Sequence, residues 1–352
     1  MSPIPTRAGM RVPGTHRAAT PLAALLVAAL TLAGCAGQAT SDGITDPGND
    51  ADPVTLSNCD QQVTVEEPPE RAVSLNQGTT ELMLALGLED RMVGTATWTD
   101  PIREDLAEAN DQVPRLADDT PSFESVLDTE PDFVIGAYHA MFTDGRVAPR
   151  ERFEELGVPT YLSPSSCEPE AAELDEPVEL EDLYGEIADV AEIFGVPERG
   201  EDLIDELRER VGEAVDRVRR ADVPESTSVM FWFAQTDAPY MAGATGAPAA
   251  MTRELGVDNS YSDVDSMWPQ VNWEDVLDRD PDLLVLGDLT RDGEGQSVES
   301  KTGFLENDPA VSELSVVDDQ RWMPMTGSEL NITIRTVDGI ESLADTLVEL
   351  HG

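Results

Sequence analysis

The sequence predicts an α/β protein made of two similar lobes, on three observations. The first is a segment that recurs: Ser122-Phe-Glu-Ser-Val-Leu-Asp-Thr-Glu-Pro-Asp-Phe-Val134 and Asn272-Trp-Glu-Asp-Val-Leu-Asp-Arg-Asp-Pro-Asp-Leu-Leu284. Each opens on a helix N-cap residue whose side-chain oxygen can accept a free backbone N–H. An aromatic follows, then an acid in the first turn, where the helix dipole favours negative charge. Pro131 or Pro281 ends the helix, and an apolar run then reads as a buried strand. The second observation is a long helical stretch between the copies. The third is that strands alternate with helices on both sides of it, which predicts parallel sheets.

In chain order, residues 22–32 form an apolar core behind Arg7, Arg11 and Arg17, with no acid before Cys35. That core is short for a bilayer span and reads as a signal peptide. It ends in Leu32-Ala33-Gly34-Cys35, which resembles the lipobox of bacterial lipoproteins. The resemblance implies cleavage before Cys35 and a lipid on its thiol. Residues 1–34 are then the signal peptide, and residues 35–57, rich in Gly, Asp, Thr and Ser, are a flexible tether.

The first lobe is expected over residues 58–180. It has strands at 73–75, 92–97, 133–136 and 160–162, and helices at 79–86, from 123 and at 150–156. A bridging helix is expected over residues 181–221, interrupted near Gly195-Val-Pro197. Its second part places Leu203, Leu207, Val211, Val215 and Val218 on one face. The second lobe, residues 222–352, repeats the plan. Its strands are at 228–233, 283–287 and 321–324, and its helices at 248–255, from 273, at 305–314 and at 335–350. The architecture is therefore two Rossmann-like lobes joined by one long bridging helix, with a ligand cleft between them.

Composition narrows the partners. The 352 residues carry a formal charge of −49, and loss of residues 1–34 removes three arginines and no acid, giving −52. Nucleic acid and anionic membrane surfaces need basic protein, so neither is expected. Cys59 and Cys167 remain once Cys35 is assigned to the lipid; in an exported chain they make a disulfide or two buried thiols. His139 and His351 are the histidines left in the mature chain, too few for a metal set with scattered tyrosines. No G-x-S-x-G, H-E-x-x-H, C-x-x-C or phosphate-loop motif is present, so no enzyme and no resident cofactor are expected.

The order lipobox, ERAVSLNQGTTELMLALGLEDRMVG, SFESVLDTEPDFVIG, FEELGVPTYLSP, long helix and WPQVNWEDVLDRDPDLLVLG resembles the substrate-binding lipoproteins of ABC importers for ferric siderophores, haem and cobalamin. The resemblance runs from about residue 70 to the C-terminus. It implies a lipid-anchored protein on the extracytoplasmic face of the cell membrane, delivering a bulky chelate to a permease dimer. It also implies that one exposed glutamate per lobe docks on that permease; the matching positions are Glu124 and Glu274. Siderophore binders of the family often carry a cleft arginine before the first repeated helix. Here that stretch is Ala117-Asp118-Asp119-Thr120, which favours a neutral or weakly charged hydroxamate cargo. Cobalamin, haem, and a surface receptor without transport remain as alternatives.

Ligands of open α/β sheets bind outside the carboxyl ends of the strands. Those ends carry Asn76, Gln77, Trp98, Tyr138, Gln235 and Tyr240, with Trp268 on the loop before the second repeat and Arg335 opening the last helix. Flat rings with a few polar groups suit a large, partly apolar ligand. Trp232 and Trp322 lie inside strands and read as core.

Overall fold

The computed structural model describes residues 53–167, 177–290 and 293–352. The signal segment, the lipobox and most of the tether lie outside the described residues. An antiparallel hairpin, β1 (Val54–Asn58) and β2 (Gln61–Val65), precedes the first lobe. It begins inside the stretch read as tether, whose structured part went unrecognised because the turn is Cys59-Asp60. Both residues have positive φ, 51° and 61°, the combination a two-residue type I′ turn needs and one that Asn-Gly usually signals.

The hairpin is fastened to the first lobe at its tip. Cys59 and Cys167 form a disulfide with Cα atoms 5.1 Å apart, closing a loop of 108 residues. In the chain-entropy description such a loop stabilises by roughly 4–5 kcal/mol. Beside it, the Asn58 side chain pairs with the Leu162 backbone (Nδ2 to O 2.7 Å, N to Oδ1 2.9 Å). Buried Arg150 donates to Asn58 Oδ1 at 2.9 Å and to Thr160 Oγ1 at 2.9 Å.

The first lobe holds an all-parallel sheet of β3 (Ala72–Ser74), β4 (Met92–Ala96), β5 (Arg115–Ala117), β6 (Phe133–Gly136) and β7 (Thr160–Leu162). The strand order is β5-β4-β3-β6-β7. The three-residue β5, exposed at Arg115, is too short and too polar to read from the sequence.

The second lobe has β8 (Ser228–Ala234), β9 (Tyr240–Met241), β10 (Asp258–Asn259), β11 (Leu283–Asp288) and β12 (Trp322–Thr326). Their order is β10-β8-β11-β12, parallel, with β9 antiparallel on β8. The helix expected at 305–314 instead spans Val298–Asn307, because Ser297 caps it through Ser300 N. In both sheets the order reverses at one place, between β3 and β6 and between β8 and β11. Open sheets of this kind bind ligands at that switch point.

The bridge is two helices, Leu180–Ile193 and Pro197–Arg220. Gly195, at φ 67°, turns the chain, and Pro197 starts the second helix, where its missing N–H costs nothing. Its buried face, Ile204, Leu207, Val211, Ala214 and Val218, packs in one core with Ile340, Leu343, Ala344 and Leu347 of the closing helix Arg335–His351. Arg210 pairs with Asp338 and Glu341 along the margin, at 2.5 Å each. No helix among the described residues is long and apolar enough to cross a membrane.

Candidate functional site: the facing strand ends

The carboxyl ends of the two sheets meet. From β4, Asp100 reaches across the lobes and accepts hydrogen bonds from Ser328 N at 2.8 Å and Ser328 Oγ at 2.5 Å. Thr290 Oγ1 donates to Thr99 O. Arg335 forks onto Glu81 of the first helix, Nε at 2.7 Å and Nη2 at 2.5 Å, and Nη2 also reaches Pro101 O at 2.5 Å. Glu81 is fully buried. Removing one partner of such a pair leaves an uncompensated buried charge, a loss of about 3–5 kcal/mol.

Three residues expected to contact ligand are used in this floor instead. Arg335 is 7% exposed and committed to Glu81. Gln77 is 2% exposed; its Oε1 accepts from Thr99 N and Asp100 N at 3.0 and 2.8 Å, and its Nε2 donates to Glu81 at 3.0 Å. Asn76 is 1% exposed, and its Oδ1 ties the β3 and β6 ends together by accepting from Ala137 N at 2.8 Å. Gln77 and Asn76 stand at strand ends and Arg335 at a helix start, and buried partners take the Arg335 guanidinium, both ends of the Gln77 amide and the Asn76 Oδ1.

The aromatic candidates remain half-buried at the strand ends. Trp98 carries the Arg115 guanidinium 4.2 Å above its ring, and Arg115 is paired with Asp118 at 3.0 Å. Tyr138 packs on the core cluster of Val126 and Phe142. On the second lobe Trp268 stacks on Phe233, centroids 4.4 Å apart and planes 25° from parallel. Exposed Gln235 is held by Gln270 Nε2 at 3.3 Å, and Gln270 also bridges to Tyr240. The structure thus adds Arg115, Phe233 and Gln270 to the candidates. Phe233 had a signal in the sequence: it alternates with Trp232, which is fully buried as expected. Trp322 is half-buried and packs against the same second-lobe core.

A family model described as periplasmic binding protein matches residues 73–321. The chain belongs to that family. Among individual proteins, it is 25% identical over 329 residues to the uncharacterized ABC transporter substrate-binding lipoprotein YvrC of Bacillus subtilis (strain 168), covering 92% of this chain and 95% of that one. It is 23% identical over 218 residues to the vitamin B12-binding protein of Yersinia pestis (strain Pestoides F), covering 62% of this chain and 69% of that one. Among solved structures, one titled as an ABC-type Fe3+-hydroxamate transport system from Saccharomonospora viridis DSM 43017 aligns with a TM-score of 0.69 at 26% identity. It covers 84% of this chain and 98% of that one.

As a periplasmic binding protein, the molecule is a solute binder and not an enzyme. No group of three His, Cys, Asp or Glu side chains able to hold a metal ion occurs among the described residues. Glu124 and Glu274 are both exposed in the first turn of their helices, and neither makes a salt bridge among the described residues. A surface groove of about 580 Å³ along the bridging helices, by Tyr184, Arg208 and Glu254, is lined by none of the strand-end residues.

Proposed function

We propose that this periplasmic binding protein is the solute receptor of an ABC importer, tethered outside the cytoplasmic membrane by a lipid on Cys35. Its cleft takes a ferric siderophore of the neutral or weakly charged hydroxamate kind and delivers it to a permease dimer. The observation that carries the reading is the pair of aromatic rims, Trp98 and Tyr138 on one lobe and Phe233–Trp268 with Tyr240 on the other, at the carboxyl ends of the two sheets. Large apolar faces with a few amides suit a bulky, weakly charged chelate. The charge balance supports this: the rim arginine, Arg115, is already neutralised by Asp118, and the body is strongly anionic. The likeness to the B. subtilis lipoprotein and to the S. viridis hydroxamate-system structure points the same way.

Cobalamin is the second reading, favoured by the near-parallel Phe233–Trp268 stack as a platform for a flat ring and by the Yersinia relative. Tryptophan fluorescence separates the two. Titration with ferric hydroxamates, ferric catecholates, haem and cobalamin should give saturable quenching at micromolar or lower concentration for the hydroxamates, weakened about tenfold or more by Trp98→Ala or Trp268→Ala. Tight binding of cobalamin with no response to any iron chelate overturns the cargo and leaves the importer reading in place.

A further inference from the structure

One buried carboxyl stands where the first lobe, the bridging helix and the second lobe meet. Glu186, on the first bridging helix, is 3% exposed, and its Oε1 accepts a 2.5 Å hydrogen bond from Ser163 Oγ at the end of β7. It borders a small cavity of about 10 Å³, roughly the room of a single water. Gly78, Thr79 and Ala137 of the first lobe line one side, and Ile332 and Thr333 of the second lobe the other. The lobes touch tightly here: a Cβ on Gly78 would lie 2.8 Å from Thr333 Cγ2.

Among the described residues no cation pairs with this carboxyl. On its own helix the charged group that acts on it is Asp189, which accepts from the Tyr161 hydroxyl at 2.9 Å. From β7 the facing titratable group is Tyr161, whose phenol is held well above its ordinary range by burial and by these two acids. The first helix presents Gly78 and Thr79, its Glu81 being turned onto Arg335. The second lobe presents Ile332, Thr333 and Ile334, none of them charged. Burial pushes the Glu186 pKa up to about 7, Asp189 adds to that push, and the Ser163 hydrogen bond pulls against it.

We propose that Glu186 is a proton-linked latch of the lobe junction. The packed junction holds the carboxyl neutral, and ionisation favours withdrawal of the Ile332–Ile334 segment, which lets water reach the carboxylate. A carboxylate shut in an apolar site with one hydrogen bond is costly, and parting of the lobes relieves it without unfolding either one. The latch holds whichever cargo the cleft takes.

The direction follows from the raised pKa. Below the ordinary carboxylate value of 4.5, Glu186 is neutral in the packed and the opened junction alike, and it imposes no penalty. Between 4.5 and about 7 the packed form holds more protons, so packing weakens as pH rises. Above about 7 the penalty is complete and constant.

Hydrogen exchange of the cargo-free mature protein at pH 5.5 and 8, corrected for intrinsic rates, tests this. The amides of residues 183–187 and 332–336 should open about twentyfold more readily at the higher pH, relative to the same comparison in Glu186→Gln. The glutamine variant should behave at both pH values like the acid form. An equal pH response in wild type and Glu186→Gln overturns the latch. If Glu186→Gln does not fold, Ser163→Ala serves instead. It keeps the carboxyl and removes the bond that lowers its pKa, so the midpoint of the opening transition should rise, and an unmoved midpoint overturns the proposal.

Discussion

In the first repeat Ser122 caps the helix Phe123–Leu127 by accepting from Ser125 N at 3.1 Å; in the second, Asn272 caps Trp273–Arg279 by accepting from Asp275 N at 3.0 Å. From Ser122 to Glu130 and from Asn272 to Asp280 the pattern of exposed, half-buried and buried residues is the same position by position. Both helices leave through a non-glycine residue at positive φ, Glu130 at 50° and Asp280 at 33°. Past the proline, Asp132 accepts from Glu70 N and Arg71 N, and Asp282 from Ser228 N and Oγ, each tying its strand to the foot of a neighbour. Beneath this common frame the fillings differ. Phe123 meets Phe153 edge-on at 5.0 Å, whereas Trp273 meets Trp232 at 4.9 Å and Phe304 at 5.0 Å. The outward shape and the exposed acid are duplicated while the cores are independent. Two like surfaces on one chain suit a two-fold partner.

The largest expected effect breaks that pairing. With Glu124→Arg and Glu274→Arg together, uptake of the cargo by cells should fall to background while fluorescence titration of the purified protein shows unchanged affinity. Each glutamate otherwise only complements a helix dipole, about 0.3–1 kcal/mol, so folding should survive. Normal uptake by the double variant would remove these residues from the docking surface.

The repeat was legible in the sequence because caps, prolines and alternating burial are local. So were the two lobes and the bridging helices, whose apolar spacing follows from their own residues. The roles of Gln77 and Arg335 were not. Each was placed correctly at a strand end or helix start, but Arg335 meets Glu81 254 positions away in the chain. No local pattern tells whether a polar side chain at such an end faces ligand or another lobe. Arg115 was missed for a similar reason: its guanidinium lies over Trp98 because β5 pairs with β4, and β5 is too short to announce itself. The Cys59–Cys167 pair was narrowed by compartment and count, and its geometry then decided it.

The two fillings should differ in stability. Trp273 contacts two aromatics, and its Nε1 donates to Thr236 O at 2.5 Å. Phe123 has one edge contact and the Arg152 guanidinium 4.2 Å over its ring. Trp273→Ala should cost about 3 kcal/mol and Phe123→Ala about 2 kcal/mol, both at the low end for buried aromatics because each ring is half-exposed. Urea midpoints at constant slope measure both. Equal losses would mean that the frame, not the filling, sets the energy of each repeat.

The smallest effect is also the sharpest, because it predicts opposite signs at equivalent positions. Glu130 and Asp280 both hold a backbone conformation that disfavours a side chain by roughly 1–2 kcal/mol. Glycine relieves that strain but adds about 0.4–1 kcal/mol of unfolded-state freedom. The Glu130 side chain is exposed and makes no hydrogen bond among the described residues, so Glu130→Gly should stabilise by about 0.5 kcal/mol. Asp280 Oδ1 accepts from both Ser315 N and Ser315 Oγ at 3.1 Å, fastening the second repeat to the helix Ser315–Asp318. Losing those bonds, worth about 1 kcal/mol in sum at an exposed site, should outweigh the relief and make Asp280→Gly destabilising by about 0.5 kcal/mol. Two urea titrations decide it: the same sign for both variants would show that Asp280 is held by the turn alone, and that the two repeats end for one reason and not for two.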